Sequence, residues 1–208
     1  MLRIGGRGGG GIPPVTIVGG AGTPHPCHDL MSFTRSISPA FLCTLRAEVW
    51  VSGVCDPYQP LEEKYRLTRQ CLEILAQHNW PVIIQTRSPL VLRDIDIIGA
   101  ARDFEVGLSI TTADDAVRKL FEPDAPPIED RIAALDTLHR AGIRTYAMIA
   151  PVLPGAEGLA ELLKGKIDYV IIDRINYHYA DWVYRKYGLE DKLSDDYYYW
   201  VRQELAAL

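Results

Sequence analysis

Residues 48–96 read EVWVSGVCDPYQPLEEKYRLTRQCLEILAQHNWPVIIQTRSPLVLRDID, and this stretch decides the fold. A β-branched and aromatic run at residues 48–52 precedes a polar loop and then an amphipathic helical pattern. The order then repeats, because the apolar run at residues 81–85 is followed by a polar elbow and a second amphipathic run at residues 90–100. Two successive units of strand, loop and helix predict parallel strands joined by helices.

Three further apolar runs, at residues 104–110, 144–150 and 168–172, continue the alternation with helical patterns. Strands separated by helices in this way are typical of a parallel α/β sheet. We therefore predict an α/β domain at residues 47–208, with five parallel strands in an open sheet or part of a barrel. Two C-terminal helices should follow.

Local signals predict where several helices begin and end. Thr111 and Thr112 predict the N-cap of the helix after the third strand. Pro127 suits the first residue of the next helix, and Gly142 suits the residue that stops it. The apolar face predicted for the first helix is formed by Leu61, Tyr65, Leu72 and Leu75.

The composition is that of a globular protein. Hydrophobic residues make up 48% of the 208 residues and charged residues 24%, and the net charge is −5. This charge does not favour broad electrostatic binding to a nucleic-acid backbone. No apolar run is long enough to span a membrane, and no apolar signal-peptide core is present, so we expect a cytoplasmic protein without a membrane partner.

Residues 1–46 differ from the rest and are rich in glycine, proline and serine. We predict an arm of uncertain order, in which residues 15–18 suit one short strand. The glycine-rich sequence at residues 19–22 does not continue into the G-x-G-x-x-G pattern of a dinucleotide loop, and the prolines after it oppose a helix start.

The chain has four cysteines, none in a C-x2-C pair, at positions 27, 43, 55 and 71. We expect reduced thiols, buried or partly buried. His25, Cys27 and His28 crowd three possible metal ligands together. A fourth ligand at a defined spacing is missing, and we predict no metal site.

Polar residues follow the first two predicted strands. The carboxyl ends of parallel strands share one edge of the sheet, so the loop with Cys55 and Asp56 should meet the loop with Arg87 and Ser88. Structural roles remain open for two of these side chains. Asp56 suits a turn or a helix N-cap, and Arg87 suits a salt bridge to another carboxylate of the same edge.

Four segments in this order resemble the radical S-adenosylmethionine superfamily, and within it proteins similar to spore photoproduct lyase. The resemblance extends over residues 47–190 or so. The segments are DPYQPLE at 56–62, TRSPLVLRD at 86–94, GLSITT at 107–112, and FEP at 121–123 with Arg131 and APVLP at 150–154.

The resemblance implies a partial parallel (β/α) barrel, in which the five strands correspond to the second to sixth of the family's six. It also implies S-adenosylmethionine and a [4Fe-4S] cluster held by a C-x3-C-x2-C loop after the first strand. That loop should precede Ala47, but residues 1–46 do not contain it, so no cluster ligand is assigned. Residues 1–46 remain open to three interpretations: a divergent replacement, an unrelated leader on a truncated domain, or a shifted reading frame.

The resemblance also implies roles for five residues. Asp56 lies where the family contacts the amino group of the cofactor's methionine, and Arg87 stands where close relatives often carry lysine. Ser88 and Ser109 are expected to donate hydrogen bonds to the cofactor's carboxylate or ribose. Cys55 is a candidate hydrogen donor near the radical.

The first functional hypothesis is therefore a lyase-like protein that cleaves S-adenosylmethionine reductively to a 5′-deoxyadenosyl radical, impaired by the absent cluster motif. The alternatives are a cluster-free cofactor-binding or interaction protein, a truncated inactive gene product, and an ordinary barrel lyase that uses Asp56 and Arg87 as acid and base. We expect a small-molecule or nucleic-acid-derived substrate. A missing first strand would uncover the edge of the next strand, which predicts self-association.

Overall fold

The computed structural model describes residues 2–4, 48–51, 55–176 and 178–208. Its strands are β1 (Leu2–Ile4), β2 (Val49–Val51), β3 (Val82–Thr86), β4 (Phe104–Ser109), β5 (Arg144–Ile149) and β6 (Tyr169–Ile172). They form a single sheet in the order β1, β6, β5, β4, β3, β2. Strands β2 to β6 are parallel to their neighbours, and β1 is antiparallel to β6.

Eight α-helices lie in the described part of the chain. They are α1 (Glu62–Tyr65), α2 (Leu67–Gln77), α3 (Ile95–Ala100), α4 (Asp115–Phe121), α5 (Ile128–Arg140), α6 (Leu159–Leu163), α7 (Asp181–Tyr187) and α8 (Asp195–Leu205). Short 3₁₀ segments are Pro89–Asp94, Ala156–Gly158, His178–Ala180 and Glu190–Leu193. None of the described helices combines the length and apolar character needed to cross a bilayer.

The order of strands and helices confirms the predicted partial barrel. Strands β2 to β6 are neighbours in chain order, as expected of successive β/α units. Within the described ranges the sheet is not closed, because β2 pairs only with β3 and β1 lies at the other edge. Self-association through the edge of β2 stays a prediction. Beyond Leu2–Ile4, the N-terminal arm and its predicted strand at residues 15–18 lie outside the described residues.

The two faces of the sheet have different surroundings. Side chains alternate between the faces along a strand, so Val106 and Leu108 of β4 share one face with Ala147 and Ile149 of β5. All four are fully buried in the hydrophobic core, and α5 packs against both strands. The opposite face, called the inner face below, carries several polar and aromatic side chains, among them Gln85, Ser109 and Tyr146.

The predicted ends of α5 are confirmed to within one residue. Pro127 is the N-cap residue, and Ile128 is the first helical residue. Gly142 follows the C-cap and has a φ of 77°, a left-handed conformation that glycine adopts without steric cost.

The N-cap predicted for α4 is wrong. Asp114 caps this helix, because its side chain accepts a hydrogen bond from the backbone N–H of Ala116. Thr111 and Thr112 are buried at the carboxyl end of β4 instead. Thr112 Oγ1 donates to the backbone oxygen of Pro154 at 2.6 Å, so it holds two loops together.

The continuous apolar face predicted for the first helix is also wrong. Helix α1 ends at Tyr65, and Arg66 has a φ of 53°, so α2 starts in a new direction. Leu72 is fully buried as predicted, whereas Leu61 and Tyr65 are 66% and 54% exposed. A single residue in the left-handed conformation changes the direction of the chain. The apolar positions before and after it therefore no longer lie on one helical face.

A buried carboxylate ties these helices to the segment after β3. Asp94 is completely buried and accepts hydrogen bonds from Tyr58 Oη at 3.0 Å, Arg69 Nη1 at 3.1 Å and Arg93 Nε at 2.8 Å. Burial acts to raise the pKa of Asp94, but the hydrogen bonds from the two arginines and the tyrosine outweigh it and lower the pKa. The folded state therefore favours the charged carboxylate.

We expect Asp94→Ala to lower the free energy of unfolding by about 3–5 kcal/mol, because it removes the completely buried carboxylate that Tyr58 and two partly buried arginines share. Asp96→Ala is the matched control. Asp96 also pairs with Arg69, at 2.7 Å, but its side chain is 59% exposed, so its loss should cost less than about 1 kcal/mol. Urea unfolding followed by circular dichroism measures both variants, and equal losses would contradict the prediction.

The same carboxylate predicts sensitivity to acid. Because folding lowers the pKa of Asp94, its contribution is complete above the ordinary aspartate pKa of about 3.9 and is lost as the pH falls through the lower folded value. Below about pH 4, the wild type should therefore lose stability more steeply than Asp94→Ala. Urea unfolding at a series of pH values tests this, and parallel curves for the two proteins would show that Asp94 plays no part.

Candidate functional site

The loops after β2 and β3 meet at the carboxyl edge of the sheet, as predicted. Asp56 Oδ1 accepts hydrogen bonds from Thr86 Oγ1 at 2.6 Å and from the backbone N–H of Tyr58 at 2.9 Å. Asp56 Oδ2 accepts from the backbone N–H of Arg87 at 2.7 Å. A carboxylate offers about four acceptor positions, of which three are filled here. Asp56 therefore fixes the loop that carries Arg87, and its contact with a cofactor's amino group stays a prediction.

Arg87 extends from this loop, and its side chain is 45% exposed. Its Nε donates to Glu122 Oε1 at 3.3 Å, which is the salt bridge considered from the sequence. Among the described residues, neither terminal nitrogen of Arg87 has a hydrogen-bond partner. These two nitrogens form a planar fork that matches the geometry of a carboxylate.

Glu122 connects Arg87 to a buried arginine. Arg131 is completely buried, and its Nη1 donates both to Glu122 Oε2 at 3.0 Å and to the backbone oxygen of Ser109 at 2.9 Å. Its Nε donates to the backbone oxygen of Pro126 at 2.8 Å. Burial lowers the pKa of Arg131, and the charge of Glu122 opposes that shift. The exposed cation of Arg87 is thus linked through Glu122 and Arg131 to the end of β4.

The two serines predicted for the site have different surroundings. Ser88 Oγ accepts from the backbone N–H of Leu90 at 3.3 Å and caps the 3₁₀ segment that follows it. Ser109 is 7% exposed on the inner face, and its Oγ accepts from Gln85 Nε2 at 2.8 Å. Both hydroxyls act as acceptors in these bonds, so each retains its own proton for donation.

Two buried polar atoms near the end of β4 lack a hydrogen-bond partner within the described ranges: Thr111 Oγ1 and Arg131 Nη2. Buried polar atoms are normally paired, so this unmet capacity fits a site for a polar ligand. The fork of Arg87 and the hydroxyl of Ser109 add a cation and a donor. The arrangement therefore suits a ligand that carries a carboxylate and further acceptor oxygens.

The cysteines do not assemble into a metal site in the described part of the chain. Cys55 is exposed beside Asp56, and Cys71 is partly buried on α2. The other two cysteines and both histidines of the H-P-C-H sequence lie outside the described residues. No group of three His, Cys, Asp or Glu side chains that could hold a metal ion occurs among those described. Within the described ranges there is thus no complete set of ligands for an iron–sulfur cluster.

Sequence reasoning assigned no role to Glu122, Arg131 or Gln85. Two of these three residues stand out in the sequence as polar residues at apolar positions. Gln85 is a polar residue in an apolar strand, and Arg131 lies between Ile128 and Ile132 on the buried side of α5. Polar residues at predicted core positions often have a specific partner or function.

Comparison with known proteins identifies the family. The family model of the radical SAM superfamily matches residues 43–162, more than half of the chain. A protein of Methanocaldococcus jannaschii, described as uncharacterized, is 38% identical over 110 residues, which cover 53% of this chain and 42% of that protein. The radical SAM Nalpha-GlyT isomerase of Pseudomonas phage M6 is 27% identical over 106 residues, covering 51% of this chain and 22% of that protein. The chain thus spans less than half the length of these curated relatives.

Two solved structures of spore photoproduct lyase variants are similar in fold. One has a TM-score of 0.53 at 15% identity, over 76% of this chain and 49% of its own. Another, with bound AdoMet and dinucleoside spore photoproduct, has a TM-score of 0.51 at 15% identity, over 68% and 45%. At such low identity these matches establish the fold alone. Since the family match covers residues 43–162, the chain belongs to the radical S-adenosylmethionine superfamily.

Proposed function

We propose that this chain binds S-adenosylmethionine at the carboxyl edge of β3 and β4. The observation that carries the proposal is the continuous link from Arg87 through Glu122 and Arg131 to the backbone of Ser109. This link holds a cation and a serine at one edge of the sheet, in a chain that belongs to this superfamily. Arg87 pairs with the carboxylate of the cofactor, and Ser109 donates to a carboxylate or ribose oxygen.

The other residues of this edge are compatible with the same ligand. Thr111 Oγ1 and Arg131 Nη2 offer hydrogen-bonding capacity that no described residue uses. Asp56 has about one acceptor position left, enough for one hydrogen bond from the cofactor's amino group. Ser88 can donate its hydroxyl proton while its oxygen caps the following turn.

The family's [4Fe-4S] cluster, when bound, supplies the electron that cleaves the sulfonium of the cofactor. The described residues do not form its ligand set, so their proposed role is to bind and orient the cofactor. Cys55, exposed at the same edge, is proposed as a hydrogen donor to a radical. For the whole reaction we propose the lyase-like class implied by the resemblance to spore photoproduct lyase, with a small-molecule or nucleic-acid-derived substrate.

We expect Arg87→Ala to weaken S-adenosylmethionine binding by about tenfold or more, because a charged hydrogen bond to the carboxylate is lost. Arg87→Lys should lose less, since the charge remains and only the fork is removed. Arg102→Ala changes an exposed arginine at the opposite end of β4, and this control should bind like the wild type.

Equilibrium dialysis with labelled S-adenosylmethionine measures these affinities. Equal binding by Arg87→Ala and the wild type would show that Arg87 does not contribute to the binding of S-adenosylmethionine. A wild-type chain that does not bind the compound at all would overturn the proposed function.

We expect anaerobic reconstitution with iron and sulfide to leave this chain without a [4Fe-4S] cluster, because its cysteines are 16, 12 and 16 residues apart and no three are closely spaced. Iron counting and the visible spectrum measure the outcome, and Cys55→Ser should match the wild type. About four irons per chain with a broad absorption band at about 400 nm would contradict this expectation. That result would mean that the cysteines outside the described residues complete a cluster site.

A further inference from the structure

A row of four residues crosses the inner face of the sheet. Gln85 of β3 is in register with Gly107 of β4, Gly107 with Tyr146 of β5, and Tyr146 with Tyr169 of β6. Residues in register on a parallel sheet share one face, so these four lie side by side. Ser109 lies on the same face, two residues closer to the carboxyl edge.

The tyrosine of β5 reaches across β4 to the glutamine of β3. Tyr146 Oη donates to Gln85 Oε1 at 2.6 Å, and Gln85 Nε2 donates to Ser109 Oγ at 2.8 Å. Tyr146 is fully buried, and Gln85 and Ser109 are 8% and 7% exposed. Two short buried hydrogen bonds therefore fix the side chain of Gln85 at both ends.

This arrangement requires the absence of a side chain at position 107. A Cβ atom on Gly107 would lie 2.1 Å from Cζ of Tyr146, far inside van der Waals contact. The tyrosine ring occupies that space, which lets its hydroxyl span the strand. The ring also stacks against Tyr169, with the centroids 5.0 Å apart and the planes 13° from parallel. The position of the Tyr146 hydroxyl is thus set by contacts with the strands on both sides.

The direction of the hydrogen bonds determines what Ser109 can do. A tyrosine hydroxyl has one proton, and donating it to Oε1 turns the amide nitrogen of Gln85 toward Ser109. Ser109 Oγ then accepts from that amide, and its own proton is left for another acceptor. The backbone of Ser109 is also held, because its carbonyl accepts from Arg131 Nη1 at 2.9 Å.

We infer that Gln85 and Tyr146 are positioning residues that hold the Ser109 hydroxyl as a donor toward an acceptor oxygen of bound S-adenosylmethionine. The inference rests on the proposed function and adds to it the two residues that set the direction of one contact. Ser88 provides a contrast, because its hydroxyl accepts only from the backbone of its own turn and has no side-chain partner in the described part of the chain.

Gln85→Glu tests the direction of the bonds with almost no change of shape. A carboxylate accepts hydrogen bonds but does not donate them, so Ser109 must give its proton to the introduced side chain. We expect the affinity for S-adenosylmethionine to fall about tenfold, to the level of Ser109→Ala. The double variant should bind no more weakly than either single variant, because both changes remove the same hydrogen bond.

The pH dependence of binding separates this role from a purely structural one. Lowering the pH protonates the introduced carboxyl, whose pKa is raised by burial, and restores a donor toward Ser109. The affinity of Gln85→Glu should therefore recover as the pH falls from about 8 to about 5, whereas Ser109→Ala should stay weak. The wild-type pH profile accounts for the other charged and titratable groups of this face and edge, which include Cys55, Asp56, Arg87, Glu105, Glu122, Arg131, Arg144, Tyr146, Tyr169 and Asp173.

Two further variants complete the test. Tyr146→Phe should lower the affinity by a smaller factor, about threefold, because the amide loses the bond that orients it. Ile83→Val shortens a partly buried side chain two residues before Gln85 on the same face, and this control should bind like the wild type. Circular dichroism and thermal unfolding show whether each variant is folded.

The results distinguish a failed inference from a failed function. If the wild type binds and Arg87→Ala is weaker, but Gln85→Glu binds normally at every pH, the positioning role is wrong and the proposed function stands. A weakened Gln85→Glu that does not recover at low pH would also overturn the positioning role. Absence of binding by the wild type would overturn the proposed function itself.

Discussion

The carboxyl edge of this sheet is arranged around one buried positive charge. Removing a guanidinium from water costs several kcal/mol unless nearby acceptors compensate for the lost hydration. Arg131 obtains this compensation from the carboxylate of Glu122 and from the backbone oxygens of Pro126 and Ser109. Because Glu122 also holds Arg87, the need to neutralise a buried arginine determines the position of an exposed one.

Near α1 and α2 a buried negative charge is compensated in a similar way. There a buried carboxylate, Asp94, gathers Arg69, Arg93 and the hydroxyl of Tyr58. Each buried charge joins segments that are distant in sequence. Tyr58 connects the two regions, because its hydroxyl donates to Asp94 and its backbone N–H donates to Asp56 at the candidate site.

The fold was predictable because short apolar strands alternate with amphipathic helices in β/α units, and both patterns are easy to recognise in a sequence. The contact between the loops of Asp56 and Arg87 followed from the same rule, since parallel strands end at a common edge. The salt-bridge partner of Arg87 could not be predicted from the sequence, because Glu122 is 35 residues away in a loop without periodicity. Arg66 also escaped prediction, since a left-handed arginine has no sequence signature comparable to that of glycine.

The ring of Tyr146 over Gly107 also determines what lies beside Ser109 on the inner face of the sheet. Ser109 stands two residues further along β4, roughly 7 Å toward the carboxyl edge. The ring occupies the inner face at its own level, on the side of Ser109 that faces the amino ends of the strands. Next to the Ser109 hydroxyl the sheet therefore presents an aromatic ring, and the hydroxyl of that ring is already bonded to Gln85.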